Sequence, residues 1–289
     1  MPGSPYADLD RPPLDGRALQ RDLVGGLWTR IELRTETGST NADAGAAARA
    51  GEPEGLVVAA ERQTAGRGRL GRAWVSPARA GIAASVLLRP GTERPDRGWP
   101  AVTPAAYGWL PLLAGVALAE AVTRLAELPA GVVPALKWPN DLLIDDAKCA
   151  GILAEAGAGG EPAVVVGVGL NVTLRAEELP ASPDGRPTTS LRLSGAQVTD
   201  RGPLLRALLR GIETWYGRWR AAAGDAAACG LRGAYLSRSA TVGRTVRVLL
   251  PGGDAVTGEA AAVDELGRLV VRTPQGDRAV AAGDVLHLR

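Results

Sequence analysis

Arginine and glycine alternate through Gly66-Arg67-Gly68-Arg69-Leu70-Gly71-Arg72-Ala73-Trp74. Each guanidinium can fork two parallel hydrogen bonds onto a carboxylate or a phosphate. Glycine admits positive φ and lets a ligand approach the main chain closely. The run therefore suits a loop that wraps a small anion. Gly66, Gly68 and Gly71 also match the Gly-x-Gly-x-x-Gly pattern of dinucleotide sites. That motif needs a helix directly after the glycines, and Arg72-Ala73-Trp74-Val75-Ser76-Pro77 does not start one. A nucleic-acid patch is disfavoured too: it goes with a strongly basic domain, and the net charge here is +2.

The remaining reactive side chains are scarce. Only Lys137 and Lys148 among the 33 basic residues are lysines, only Asn41, Asn140 and Asn171 are asparagines, and phenylalanine is absent. The composition leans to Ala, Gly, Arg and Pro. The five rare residues fall in short polar segments between predicted strands, where function concentrates. A fixed ammonium such as Lys148 can stabilise charge developing on an anion. Lys137 can bind phosphate or brace the Pro139 turn. Asp141 can accept a proton, help hold a cation, or cap its turn. Ser39 or Thr40 caps a helix, and a helix N-terminus also offers free N–H groups to a ligand.

The elements that must position these residues read as follows. Helical spacing is expected at Leu14–Trp28, Ala42–Ala50, Tyr107–Glu127, Pro203–Ala222 and Asp225–Leu236. Strands are expected at Ile31–Thr37, Gly55–Glu61, Gly81–Arg89, Ala135–Trp138, Lys148–Glu155 and Ala163–Val168, with Leu142–Asp146 as a tight connection. Leu174–Thr189 is polar with three prolines, a loop. From Ala240 the texture changes to short strands at 242–250, 255–264, 268–273, 278–281 and 284–288, punctuated by Gly and Pro. That predicts a small five-stranded barrel. The chain divides into a lead segment (1–30), a mixed α+β domain (31–236) and a terminal β module (237–289).

Taken in order, Ser39-Thr40-Asn41, Gln63, the 66–74 loop, Lys137-Trp138-Pro139-Asn140-Asp141, Lys148-Cys149-Ala150-Gly151-Ile152-Leu153 and Gly167-Val168-Gly169-Leu170-Asn171-Val172 closely resemble biotin–protein ligases. The resemblance runs from about Ile31 to the terminal module, and its specificity lies in the order of the motifs. It implies the biotin/lipoate ligase type of mixed-sheet domain with a small SH3-like C-terminal barrel. It implies a two-step reaction: biotin and MgATP give biotinyl-5′-adenylate, which acylates one lysine of a carboxyl carrier domain of an acyl-CoA or pyruvate carboxylase. Biotin would meet Ser39, Thr40, Asn41, Gln63, Arg67, Gly68, Arg69 and Lys148. The nucleotide would meet Arg67, Arg69, Arg72, Trp74, Lys137, Asn140 and Asn171. Lys148, Arg69 and Asp141 would carry the chemistry, with Mg²⁺ arriving on ATP and held near Asp141. Trp74 is read first as an anchor and second as a stacking surface. The 174–189 loop would fold over adenine. Leu70 stands where some family members have a further arginine.

Other readings stand beside this one. A lipoate- or octanoyl-transferring relative shares the catalytic core but usually differs in the arginine loop. A non-catalytic binding protein would not need Lys148, Arg69 and Asp141 together. About thirty residues precede the first strand, roughly half of what a winged helix-turn-helix needs, so no DNA-reading domain is expected. Asp8 and Asp10 stand where a signal peptide would be apolar. The apolar run Trp109–Ala119 is too short to span a bilayer. Cys149 and Cys229 have neither metal-ligand spacing nor the numbers of a disulfide framework. A cytoplasmic enzyme is expected, with His287 structural.

Overall fold

The computed structural model describes residues 10–157, 162–180 and 186–288. Strands β1 (Arg30–Arg34), β2 (Leu56–Ala60), β3 (Gly81–Leu88), β4 (Ala135–Lys137), β5 (Asp141–Ile144), β6 (Ala147–Gly157) and β7 (Ala163–Asn171) form one sheet, ordered β1-β2-β3-β7-β6-β5-β4. Only β1 and β2 run parallel; the other neighbours are antiparallel. The helices are α1 (Gly16–Leu23), α2 (Thr40–Arg49), α3 (Trp109–Leu125), α4 (Arg201–Ala221) and α5 (Leu231–Leu236). A mixed α+β fold is therefore observed, as expected.

The two faces of the sheet differ because strand side chains alternate. Val164, Val166, Val168 and Leu170 of β7 join α3 and α4 in the main core. The opposite face presents Val165, which packs with Leu87, Leu56 and Val58 against Ala44 and Ala48 of α2. Toward the N-terminus of α2 that second face changes from valine to Gly167 and Gly169, which bring no side chain of their own to it. Small alanines on α2 let its backbone lie close to the strands.

α3 is apolar nearly all round, and twelve of its residues are buried. Leucine and alanine favour the helix, and Pro111 is tolerated in the first turn, where N–H groups have no intrahelical partner. The run Pro104–Leu125 has the length and apolarity of a membrane span, longer than the sequence reading allowed, but it is the core helix here, 72% buried. α1 adds Leu19 and Leu23 to the same core.

Three expectations need correction. Residues 142–146 are not merely a connection: Asp141–Ile144 is a buried strand, and the turn is only Asp145-Asp146, both at positive φ (50° and 60°), the conformation of a two-residue hairpin. The helix expected over 225–236 shrinks to α5, because Asp225 accepts from the amides of Ala227 and Ala228 in a turn and Gly230 then adopts φ 81°. The terminal module is a five-stranded antiparallel sheet, β8 (Thr245–Leu249), β9 (Ala255–Val263), β10 (Leu269–Thr273), β11 (Gly276–Val280) and β12 (Asp284–His287), ordered β11-β10-β9-β8-β12. It keeps the SH3-like character, but its edges β11 and β12 do not pair, so the barrel is open. Residues 181–185 of the 174–189 loop lie outside the described residues.

The module docks through indoles. Trp109 Nε1 donates to Glu265 O at 2.9 Å, and Trp138 Nε1 donates to Gly267 O at 3.0 Å. The amide of Trp138 donates to Thr241 Oγ1 at 3.0 Å. Two buried tryptophans thus gain the polar partners that burial demands, and β12 is brought to the rim of the main sheet.

Candidate active site

A cavity of about 370 Å³ opens on the glycine-bearing face of the main sheet, bounded by α2, the 66–74 loop, β6, β7 and β12. Every residue expected to meet biotin or nucleotide, or to carry the chemistry, lines it: Ser39, Thr40, Asn41 and Gln63 at one end; Arg67, Gly68, Arg69, Arg72 and Trp74 along one wall; Lys137, Asn140, Asp141, Lys148 and Asn171 along the other. The lysine and the arginines share one space.

The neutral end is built on the start of α2. Ser39 is the N-cap and accepts from the Ala42 amide. Thr40 donates its amide to Gln63 Oε1 at 2.8 Å, and its hydroxyl lies 3.0 Å from the same oxygen. Ser85 of β3 sits behind them, its hydroxyl 2.6 Å from Asn41 Oδ1 and 2.7 Å from Thr40 Oγ1. Asn41 Nδ2 donates to Glu155 Oε2 at 2.7 Å and to Leu153 O at 3.2 Å. Ser85 and Glu155 were not found from sequence. Each is an ordinary residue in a strand, and only pairing across β3, β7 and β6 brings it to Asn41.

The floor is glycine. Gly151 pairs with Gly169, and Gly167 with Leu153. A methyl on Gly167 would collide with the Asn41 carboxamide, and one on Gly169 with the Trp74 indole. At Gly151 the added carbon would stand 3.1 Å from Trp74 and 3.5 Å from Lys148 Nζ. Trp74, half-buried, therefore lies against Gly151 and Gly169, with Lys148 Nζ 6.0 Å from its ring centre.

A strand irregularity aims Lys148. Leu142 pairs with Ala150 but Leu143 pairs with Lys148, so Cys149 is an extra residue in β6. Ala150 and Ile152 face the main core. Strict alternation would send Lys148 the same way; the bulge reverses its phase and buries Cys149 instead. Burial pushes the Cys149 thiol up, which fits inert packing. The Lys148 ammonium lies 2.7 Å from Asp141 Oδ1, and the buried Lys137 lies 4.0 Å from Asp141 Oδ2. One carboxylate thus stands between the two lysines. The backbone of Lys148 is held in turn by Pro187 O and the Thr189 amide, at 2.8 and 2.9 Å. Asn171 Nδ2 donates to Thr189 O at 2.9 Å.

The arginine loop is a closed hairpin. Trp74 N donates to Gly66 O and Gly68 N to Arg72 O, at 2.8 and 2.7 Å. At its tip Leu70 (φ 55°) and Gly71 (φ 72°) turn the chain, leaving the Leu70 side chain exposed. Arg69 points inward, donating to Asn140 Oδ1 and Gly283 O, both at 3.2 Å. Burial lowers its pKa, and Asp284 and Asp141 oppose that shift. Arg72 pairs with Asp284. Arg67, half-exposed, reaches Glu155 at 3.4 Å. Asp284, which sequence gave no reason to select, is delivered by the open edge of the terminal sheet.

Two family models match this chain: the biotin/lipoate A/B protein ligase family over residues 39–171, and the biotin protein ligase C-terminal domain over residues 241–288. A biotin–[acetyl-CoA-carboxylase] ligase of Mycobacterium tuberculosis is 44% identical over 285 residues, covering 98% of each chain. The chain belongs to the biotin protein ligase family. The ligase is also 34% identical to a biotin–[acetyl-CoA-carboxylase] ligase of Paracoccus denitrificans, over 88% of this chain and 98% of that one. Its fold matches the Aquifex aeolicus biotin protein ligase in complex with biotin and ATP, with a TM-score of 0.68 and 27% identity, over 91% of this chain and 100% of the other. It is an enzyme of biotin ligation.

Proposed function

We propose that the cavity activates the biotin carboxylate with ATP as biotinyl-5′-adenylate, then passes the acyl group to one lysine of a carboxylase carrier domain. The observation that carries the reading is the joining of a neutral, hydrogen-bonding end (Thr40, Asn41, Gln63) and a cationic end (Lys148, Arg69) in a single cavity. A ureido ring, which both donates and accepts, suits the first; an acyl phosphate suits the second. Two anions must meet in the first step, and the Lys148 ammonium between them lowers their repulsion. Asp141 holds that ammonium in place from 2.7 Å.

The half-exposed Arg67 and Arg72 and the inward Arg69 close on the mixed anhydride and keep water away. In the second step the acceptor lysine enters mostly protonated, its ordinary pKa being about 10.4. Asp141, the carboxylate against Lys148, takes or orients that proton. Among the described residues no three His, Cys, Asp or Glu side chains converge as a metal site, so magnesium is read as arriving on the nucleotide phosphates, with Asp141 nearest. The relatives named for acetyl-CoA-carboxylase ligation make an acyl-CoA carboxylase the first acceptor to try, with pyruvate carboxylase second.

Purified chain given biotin, MgATP and labelled pyrophosphate is expected to move label into ATP only when biotin is present. Exchange with lipoate and none with biotin would overturn the reading.

A further inference from the structure

We infer that Glu155 is a positioning residue that fixes the donor–acceptor polarity of the neutral end of the cavity. The inference rests on the biotin-binding reading above. Five groups stand in series within hydrogen-bonding distance: Glu155, Asn41, Ser85, Thr40 and Gln63. Two of them are hydroxyls, which can donate in either direction, and two are carboxamides, which can turn over. Such a series has two possible polarities unless its ends are fixed.

Both ends are fixed here. An ionised carboxylate only accepts, so Glu155 Oε2, 2.7 Å from Asn41, demands the Nδ2 group. Asn41 Oδ1 must then face Ser85, and Ser85 must donate to it across 2.6 Å. The single Ser85 proton is thereby committed to Asn41, and the single Thr40 proton serves either Ser85 Oγ, 2.7 Å away, or Gln63 Oε1, 3.0 Å away. At the other end the Thr40 amide can only donate, which turns Gln63 Oε1 inward at 2.8 Å and its Nε2 away from that amide. Leu153 O supports the same Asn41 orientation from 3.2 Å. A ureido ring reads a fixed pattern of donors and acceptors, so losing the polarity costs binding and leaves the phosphate chemistry at Lys148 alone. Glu155 also meets Arg67 through the same oxygen, at 3.4 Å, which ties the loop to the vitamin end.

The test is a double-mutant cycle read in biotin-dependent pyrophosphate exchange. Glu155→Ala is expected to raise the biotin KM about tenfold, the size of one lost charge-assisted hydrogen bond, with kcat at saturating biotin nearly unchanged. Glu155→Gln can turn over and offer Asn41 its NH₂ group instead of its oxygen, so it no longer fixes the polarity and is expected to raise the KM about fivefold, between wild type and Glu155→Ala. On an Asn41→Ala background, Glu155→Ala should change KM less than about twofold, because the group it orients is gone. If Glu155→Ala loses its cooperative melting transition, Glu155→Met, similar in volume without an acceptor, replaces it in the cycle. Multiplicative effects on KM, or a loss confined to kcat, would overturn the inference while wild-type exchange keeps the functional reading intact. Wild-type chain without biotin-dependent exchange would overturn both.

Discussion

The two ends of the cavity are built on opposite principles. Ser39, Thr40 and Asn41 are buried to 6% exposure or less, sit on a helix start, and have hydrogen-bond partners within the protein. Arg67 and Arg72 are exposed, sit on a hairpin with positive-φ residues at its tip, and are balanced by Glu155 and Asp284. The first end is pre-organised for one rigid neutral group, so binding there costs little reordering. The second stores cationic side chains against replaceable carboxylates, so a phosphate can take over their partners. The difference teaches that selectivity and capture can be assigned to separate walls of one cavity.

The sharpest way to break this comparison is at the cationic end. Lys148→Ala should lower pyrophosphate exchange about a thousandfold, and Lys148→Arg should not restore it, because a planar guanidinium cannot replace a compact ammonium beside Asp141. Near-normal exchange in Lys148→Ala would remove the electrostatic argument. Arg69→Gly should still make adenylate but release it roughly a hundredfold faster, seen as labelling of bystander proteins; tight retention would mean the loop does not capture.

The floor separates the ends more gently. Gly167→Ala drives a methyl into the Asn41 carboxamide, and is expected to raise the biotin KM about thirtyfold with the ATP KM little changed. Gly68→Ala, whose added carbon would come no closer than 3.4 Å to the Arg72 oxygen, should change either constant less than about threefold. Equal effects of the two would dissolve the distinction between a rigid and an adaptable wall.

The smallest effect concerns the terminal module. Burial, with Arg186, Lys137 and Arg244 nearby, holds His287 down to about 4, below the ordinary 6.5. A depressed histidine contributes stability that is complete above about pH 6.5 and is lost as pH falls toward 4. Thermal melts should show this loss, on the order of 1 kcal/mol once solvent screening of a half-exposed ring is allowed for. His287→Gln should flatten the dependence in that window.

Much of the site was legible in the chain. The arginine–glycine run, the two lysines and the three asparagines are rare residue types in polar segments, and they do line one cavity. Ser85, Glu155 and Asp284 were not legible, because serine, glutamate and aspartate are common and carry no spacing signal. Gly151, Gly167 and Gly169 could be quoted as part of motifs, yet their use as a floor depends on which strand lies beside which. Asp141–Ile144 was misread because its hairpin turn needs only two residues, leaving little loop to see.

Local order of residues alone determined the composition of the two ends, the helix start at Ser39, the strand alternation and the family. Those are short-range properties of types and periods along the backbone. Tertiary pairing alone decided that a bulge at Cys149 swings Lys148 out of the core, that valine yields to glycine where α2 begins, and that the open edge of the terminal sheet supplies Asp284. Each of these depends on register between segments far apart in sequence, and a one-residue shift in register exchanges the two faces of a strand.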